Sequence, residues 1–183
     1  MAKGNTDLGK LKELRHELLV KMEADFREEL IPAVLAEEAE GQPEILTVLF
    51  DSLAKEGAGA EGEFLFMPAA EDDELQYFTS IINLAEEYAE ETENELYASM
   101  AVLNFYLTVG TFAVEPQTGR LIYKNAVSMK LPGDAEEMEE QMNRSMSSAV
   151  LMIDRFGGLL LDVIDGERTA EDIVELFTQA EEK

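Results

Sequence analysis

Arg120-Leu121-Ile122-Tyr123-Lys124-Asn125-Ala126-Val127-Ser128-Met129-Lys130 is the stretch on which the fold turns. Leu121, Tyr123, Val127, Met129 and Leu131 alternate with Arg120, Lys124, Ser128 and Lys130. That period of two predicts an antiparallel strand with one face on a core and one in water. Upstream, Phe112-Ala113-Val114 reads as a strand and Pro116-Gln117-Thr118-Gly119 as the turn that makes the two a hairpin.

Working outward, Pro132-Gly133 ends the strand and Asp134 caps a long helix with an acidic first turn. Its apolar line is Met138, Met142, Met146, Ala149, Ile153 and Phe156, and Gly157-Gly158 is expected to loosen or bend it. Asp165-Gly166 closes it, and Thr169 opens a last short helix carrying Ile173, Val174, Leu176 and Phe177. On the N-terminal side of the hairpin, Thr92 with Glu95 forms a capping-box pattern for a helix lined by Leu96, Met100, Leu103 and Leu107. Before it, Phe64-Leu65-Phe66-Met67, ended by Pro68, and Leu75 to Leu84 read as two strands joined by an acidic turn at Glu71 to Glu74.

The first 56 residues read as helical. Leu8, Leu11, Leu14, Leu18, Met22, Phe26 and Leu30 recur at spacings of three and four, with Asp7 as N-cap and Pro32 as a stop or kink. Ile45, Val48, Leu49 and Leu53 predict a second helix after Pro43. Gly57-Ala58-Gly59-Ala60-Glu61-Gly62 then reads as a flexible connector. The expected organisation is an N-terminal helical segment over 1–56, a Gly-rich connector over 57–62 and an α+β domain over 63–183. Helices that flank and interrupt an antiparallel sheet argue for α+β rather than a parallel α/β fold.

The chain has 183 residues, 14 Lys and Arg against 40 Asp and Glu, and a formal charge of −26. That charge repels nucleic-acid phosphates and anionic lipids, so neither is an expected partner. It serves solubility, and it also favours encounter with a cationic protein face. From Glu56 to Gly119 there is no Lys or Arg, against fourteen Asp and Glu. Without cysteine there is no disulfide, thiolate nucleophile or Cys-based zinc site. The polar start and the short apolar runs suggest a cytoplasmic protein with no signal peptide or membrane span.

No catalytic constellation is visible. His16 is the single histidine and reads as a surface or half-buried residue. The clusters Glu86 to Glu95 and Glu136 to Glu140 bracket helix starts, where the dipole favours acid, and none has EF-hand spacing. There is no Walker loop and no GxSxG elbow. Gly57 to Gly62 precedes a strand instead of following one, unlike a dinucleotide fingerprint. No cofactor and no enzymatic activity are expected. Met129, Met138, Met142 and Met146 fall on one strand and one helix. They read either as core filling or, where exposed, as a partner-binding groove.

The run Leu103-Asn104-Phe105-Tyr106-Leu107-Thr108-Val109-Gly110-Thr111-Phe112-Ala113-Val114 has its sequel in Gly119 to Tyr123, Met129-Lys130-Leu131-Pro132 and the long helix through Phe156. Over residues 63 to 165 this resembles the YbjN-like proteins, which share the type III secretion chaperone-like fold. The resemblance rests on a helix ending in an Asn, an apolar turn into a glycine and strand, a hairpin and a long C-terminal helix. It implies a small acidic cytoplasmic protein of bacterial type, often dimeric, that binds a protein partner or client, chaperone-like or regulatory, and it carries no catalytic residues. The competing expectation is a small-ligand, metal-binding or enzymatic module using carboxylates in a pocket. A third is an assembly subunit whose first helix swaps onto a neighbour.

Overall fold

In the computed structural model, which describes residues 8–36, 42–68 and 74–181, the alternating stretch is strand β6, Leu121–Lys130, and it pairs antiparallel with β5, Thr111–Val114. The remaining elements in chain order are α1 (Leu8–Glu28), β1 (Ala33–Ala36), β2 (Ile45–Phe50), β3 (Ala60–Pro68), β4 (Leu75–Ala85), α2 (Glu93–Tyr106), α3 (Ala135–Ile164) and α4 (Ala170–Glu181). The strands form one sheet in the order β1-β2-β3-β4-β6-β5, so the fold is α+β. The Asp7 cap and most of the acidic turn at Glu71 to Glu74 lie outside the described residues.

The expected second helix is instead strand β2, whose Leu46 and Val48 are buried while their neighbours are not. In Ile45-Leu46-Thr47-Val48-Leu49-Phe50 nearly every residue is apolar, so helical spacing arises by default, while β-branched and aromatic residues favour a strand. β1 was hidden in four residues behind Pro32. The helix before it ends in a Schellman arrangement: Ile31 N–H donates to Phe26 O (2.9 Å) and Leu30 N–H to Arg27 O (3.1 Å). Leu30 occupies the left-handed position at φ 62° and is 90% exposed.

The glycine-rich run is a tight turn into β3. Leu53 N–H donates to Ala58 O (2.8 Å), and Gly57 takes φ 76° with its N–H on Ser52 Oγ (3.2 Å). Gly62 lies inside β3, where an added Cβ would sit 3.0 Å from the rings of Phe50 and Phe64.

The chain divides into two compact units that do not follow the 1–56 and 63–183 partition. The first comprises residues 1–50, 61–81 and 125–147, and the second 51–60, 82–124 and 148–183. In the first unit, α1 buries Leu11, Leu18, Leu19, Met22 and Phe26 against β2, β3, β4 and residues of β6 and α3. Phe26, Phe50, Phe64, Phe66 and Phe78 form a run of aromatic contacts, with Phe64 and Phe78 stacked at 6.2 Å. α1 therefore packs on the strands of its own unit. Arg15 hydrogen-bonds Gln76 (3.2 Å) and Lys21 pairs with Glu139.

In the second unit the core includes Leu84, Leu96, Met100, Leu103, Phe112, Tyr123, Ile153, Phe156, Leu160 and Ile173. α3 runs through Gly157-Gly158 as continuous helix. The glycines admit Ala54: an added Cβ would lie 2.8 Å from Ala54 Cβ at Gly157 and 2.7 Å from Ala54 O at Gly158. Asp134 caps α3 as expected, through Glu137 N–H (3.1 Å). α4 opens with a reciprocal box, Asp172 N–H to Thr169 Oγ1 (3.2 Å) and Thr169 N–H to Asp172 Oδ2 (2.7 Å). The box expected at α2 is absent. Thr92 Oγ1 donates to Ala89 O (2.8 Å) in a short 3-10 turn, and the Glu95 carboxylate instead accepts Ala170 N–H at the start of α4.

Candidate functional site

The four methionines singled out in sequence are core residues. Met129, Met138 and Met142 are buried in the first unit among Leu131, Phe66 and the α1 side chains, and the half-buried Met146 packs against them. Their unbranched thioethers fill the space between strand and helix. A groove lined by them is not open on this surface. Met152 is buried in the second unit, with Thr108 Oγ1 3.8 Å from its sulfur.

His16 is on the surface, its Nδ1 2.8 Å from the Glu44 carboxylate. The two line a shallow open depression with Gly9, Lys10, Lys12 and Glu13. Among the described residues, no three His, Asp or Glu side chains converge as metal ligands, and no helix is long and apolar enough to cross a membrane.

The exposed surface that stands out lies on α2 and α4 of the second unit. From Leu96 to Val114 the sequence holds no charged residue. One side of α2 is buried through Leu96, Met100 and Leu103, so beyond the first turn, which carries Glu93 and Glu95, the other side is uncharged too. It presents Tyr97, Ala101 and Phe105, one helical ridge at spacings of four, all exposed, with Phe105 at 81% and Tyr97 at 46%. Phe105 meets Tyr106 edge-on at 5.2 Å. Tyr106 stacks flat on Phe177 of α4 at 4.0 Å, and Phe177 reaches Phe156 at 5.9 Å. This chain of rings runs from a buried anchor to an exposed tip, and Val174, three residues before Phe177 on α4, is exposed. Exposed apolar residues that adjoin one another are more informative than a single exposed leucine.

The end of α2 is fixed by Asn104. Its Nδ2 donates to Phe112 O (2.9 Å) and its Oδ1 accepts Phe112 N–H (2.8 Å). Tyr123 O–H donates to Val109 O (2.8 Å), and burial pushes the Tyr123 phenol up to about 12. Gly110, at φ 69°, is where that ring passes: a Cβ there would meet Tyr123 Oη at 2.1 Å. These contacts hold the Phe105–Tyr106 corner on a rigid support.

The chain matches no protein-family model and none of the curated proteins. Among solved structures it matches the crystal structure of YbjN from E. coli, at 8% identity over 84% of this chain and 93% of that one, with a TM-score of 0.43.

The backbone at both sheet edges is partly occupied. β5 is one edge, and its alternation puts the N–H and C=O of Phe112 outward, where Asn104 takes both. β1 is the other. Its outward Leu35 N–H donates to Glu23 Oε1 (3.0 Å) and its Ala33 O accepts from Arg27 Nε (3.2 Å), the two α1 side chains being paired at 2.8 Å.

Proposed function

We propose that this chain is a non-enzymatic protein-interaction module, chaperone-like or regulatory, that engages a protein partner through the exposed ridge of α2. The observation that carries this reading is the uncharged surface of Tyr97, Ala101 and Phe105, continuous with the Tyr106–Phe177 stack. Large aromatics give much contact area at low conformational-entropy cost, which is why they dominate the energetics of interfaces. The occupied edge groups at Phe112, Ala33 and Leu35 support a helix face over strand addition as the mode of contact.

The experiment is native co-purification with identification by mass spectrometry, comparing the natural chain with Phe105→Asp. An exposed site tolerates the change, so the fold is expected to persist by circular dichroism. A protein recovered reproducibly with the natural chain and lost with the variant supports the reading. Recovery that is identical for both, or empty for both, overturns it.

A further inference from the structure

We infer that the α2 ridge receives a basic amphipathic helix, an inference that rests on the interaction reading above and names the chemistry of its partner. The ridge supplies the shape. Tyr97, Ala101 and Phe105 follow one another at four-residue spacing, so the small Ala101 forms a notch between two large rings. A facing helix packs its own ridges into the grooves beside such a row, and the dip in the row at Ala101 admits one apolar side chain between the rings.

The charge supplies the sign. The same four-residue row begins with Glu93, and Glu90, Glu91 and Glu95 surround that end of α2. Glu115 follows the uncharged run at the other end, where Arg120 pairs with it at 3.0 Å. On α4, which packs against α2, the exposed groups include Glu171, Asp172 and Glu175 and no Lys or Arg. The nearest cation before α4 in sequence is Arg168, 3.4 Å from Asp162. Arg155 lies over the Phe156 ring at 5.1 Å, at the buried end of the ring chain, so the field around the ridge is predominantly acidic, not wholly so. An apolar strip in such a field favours an apolar face flanked by Lys or Arg. The same field, in a chain of net charge −26, works against a second copy of this chain and against an anionic membrane.

The test is fluorescence anisotropy with a designed helical peptide that has leucines on one face and Lys and Arg flanking them. The comparison ligands are the same peptide with Glu at every cationic position, and phosphatidylserine vesicles. The basic peptide is expected to bind. Its affinity is expected to fall on the order of tenfold as salt is raised beyond the screening range of the cell. A loss on the order of tenfold is expected in Phe105→Asp and in Ala101→Arg, which fills the notch with a cation on an exposed helix position where arginine is well tolerated. Val34→Asp, on an exposed position of the first unit, is expected to change nothing. Equal binding of the glutamate peptide, unchanged binding in both ridge variants, binding to the vesicles alone, or Phe105-dependent dimerisation without peptide binding would each overturn the inference. If the basic peptide fails while co-purification still yields a Phe105-dependent partner, the interaction reading stands and the basic helix falls. If both fail, both are wrong.

Discussion

The side-chain amide of Asn104 binds both backbone groups of Phe112, donating to the carbonyl oxygen at 2.9 Å and accepting the N–H at 2.8 Å. One residue at the end of α2 thereby takes the hydrogen-bonding place of a neighbouring strand at the open edge of β5. It also ties the helix that carries the exposed ridge to the sheet that supports it.

Replacing Asn104 by Leu leaves a donor and an acceptor of the buried Phe112 without their partner, and is expected to lower stability by about 2 kcal/mol. Asn104→Asp is the sharper variant. An ionised carboxylate still accepts the Phe112 N–H, but it faces the Phe112 carbonyl oxygen with no proton to donate. When protonated it restores both bonds. The new carboxyl is therefore held above its ordinary range by the fold. Relative to the natural chain, the variant should be near normal in acid and lose stability as pH rises through the folded-state value. Urea denaturation at a series of pH values checks the direction. A deficit that is the same at every pH would refute it.

Glu23 and Arg27 guard the other edge, on Leu35 N–H and Ala33 O. Glu23→Gln keeps an acceptor for the amide and removes only the charge on a partly exposed pair, so a few tenths of a kcal/mol is expected. Glu23→Ala removes the acceptor as well. It should cost roughly 1 kcal/mol and, more tellingly, open an edge that other strands can join. Sedimentation at high concentration should show more self-association for the alanine variant than for the glutamine variant. Equal association of the two would show that the edge is not guarded by this bond.

Some of this was legible in the sequence and some was not, for identifiable reasons. β6 was readable because Lys124, Ser128 and Lys130 interrupt its apolar residues. β2 was not, because an almost wholly apolar hexapeptide satisfies the helical and strand periods alike. The methionine stripe was seen, but spacing cannot say which side of it is covered. The exposed ridge is not legible from apolar spacing, because Leu96, Met100 and Leu103 mark the side that is buried. Its signal was the absence of charge from Leu96 to Val114, which leaves an amphipathic helix without a polar face. Gly157-Gly158 suggested a bend because the residue they accommodate, Ala54, is about a hundred positions away in sequence.

That accommodation reverses an ordinary expectation. Gly→Ala inside a helix normally stabilises by about 1 kcal/mol. At Gly157 the added methyl would lie 2.8 Å from Ala54 Cβ, and at Gly158 it would lie 2.7 Å from Ala54 O, so both changes should destabilise, by roughly 1–3 kcal/mol. The two differ in rescue. Ala54 itself sits at φ 68°, a conformation that favours glycine, so Ala54→Gly alone should be neutral or stabilising. Combined with Gly157→Ala it removes the opposing methyl and should restore most of the loss. Combined with Gly158→Ala it leaves the opposing carbonyl in place and should not. A double-mutant cycle by thermal denaturation separates the two. Rescue at both positions would mean that the backbone of Ala54 moves freely, contrary to the packing seen.

Asp162 should set a local pH dependence opposite to that of the acidic surface. Its carboxylate accepts from Lys55 Nζ at 2.8 Å and lies 3.4 Å from Arg168 Nε. The hydrogen bond from Lys55 leads in holding its carboxyl below the usual range, ahead of the opposing effect of burial, and Arg168 adds to the lowering. The same contact, with a second hydrogen bond to Asp165, holds Lys55 above its usual range. A depressed carboxyl contributes stability above its unfolded-state pKa and loses it as pH falls through the folded-state value. A raised ammonium contributes below its unfolded-state pKa and loses it as pH rises through the folded one. Most other carboxylates of this −26 chain act through repulsion, and mild acid relieves that. Stability of the natural chain is therefore expected to rise at first on acidification. The gap between it and Asp162→Asn should stay level through neutrality, close in acid below the ordinary carboxylate range, and narrow again in strong alkali. Thermal midpoints of both proteins across pH, at low and high salt, read that gap directly. A gap that widens in acid would show that Asp162 is held by something other than Lys55 and Arg168.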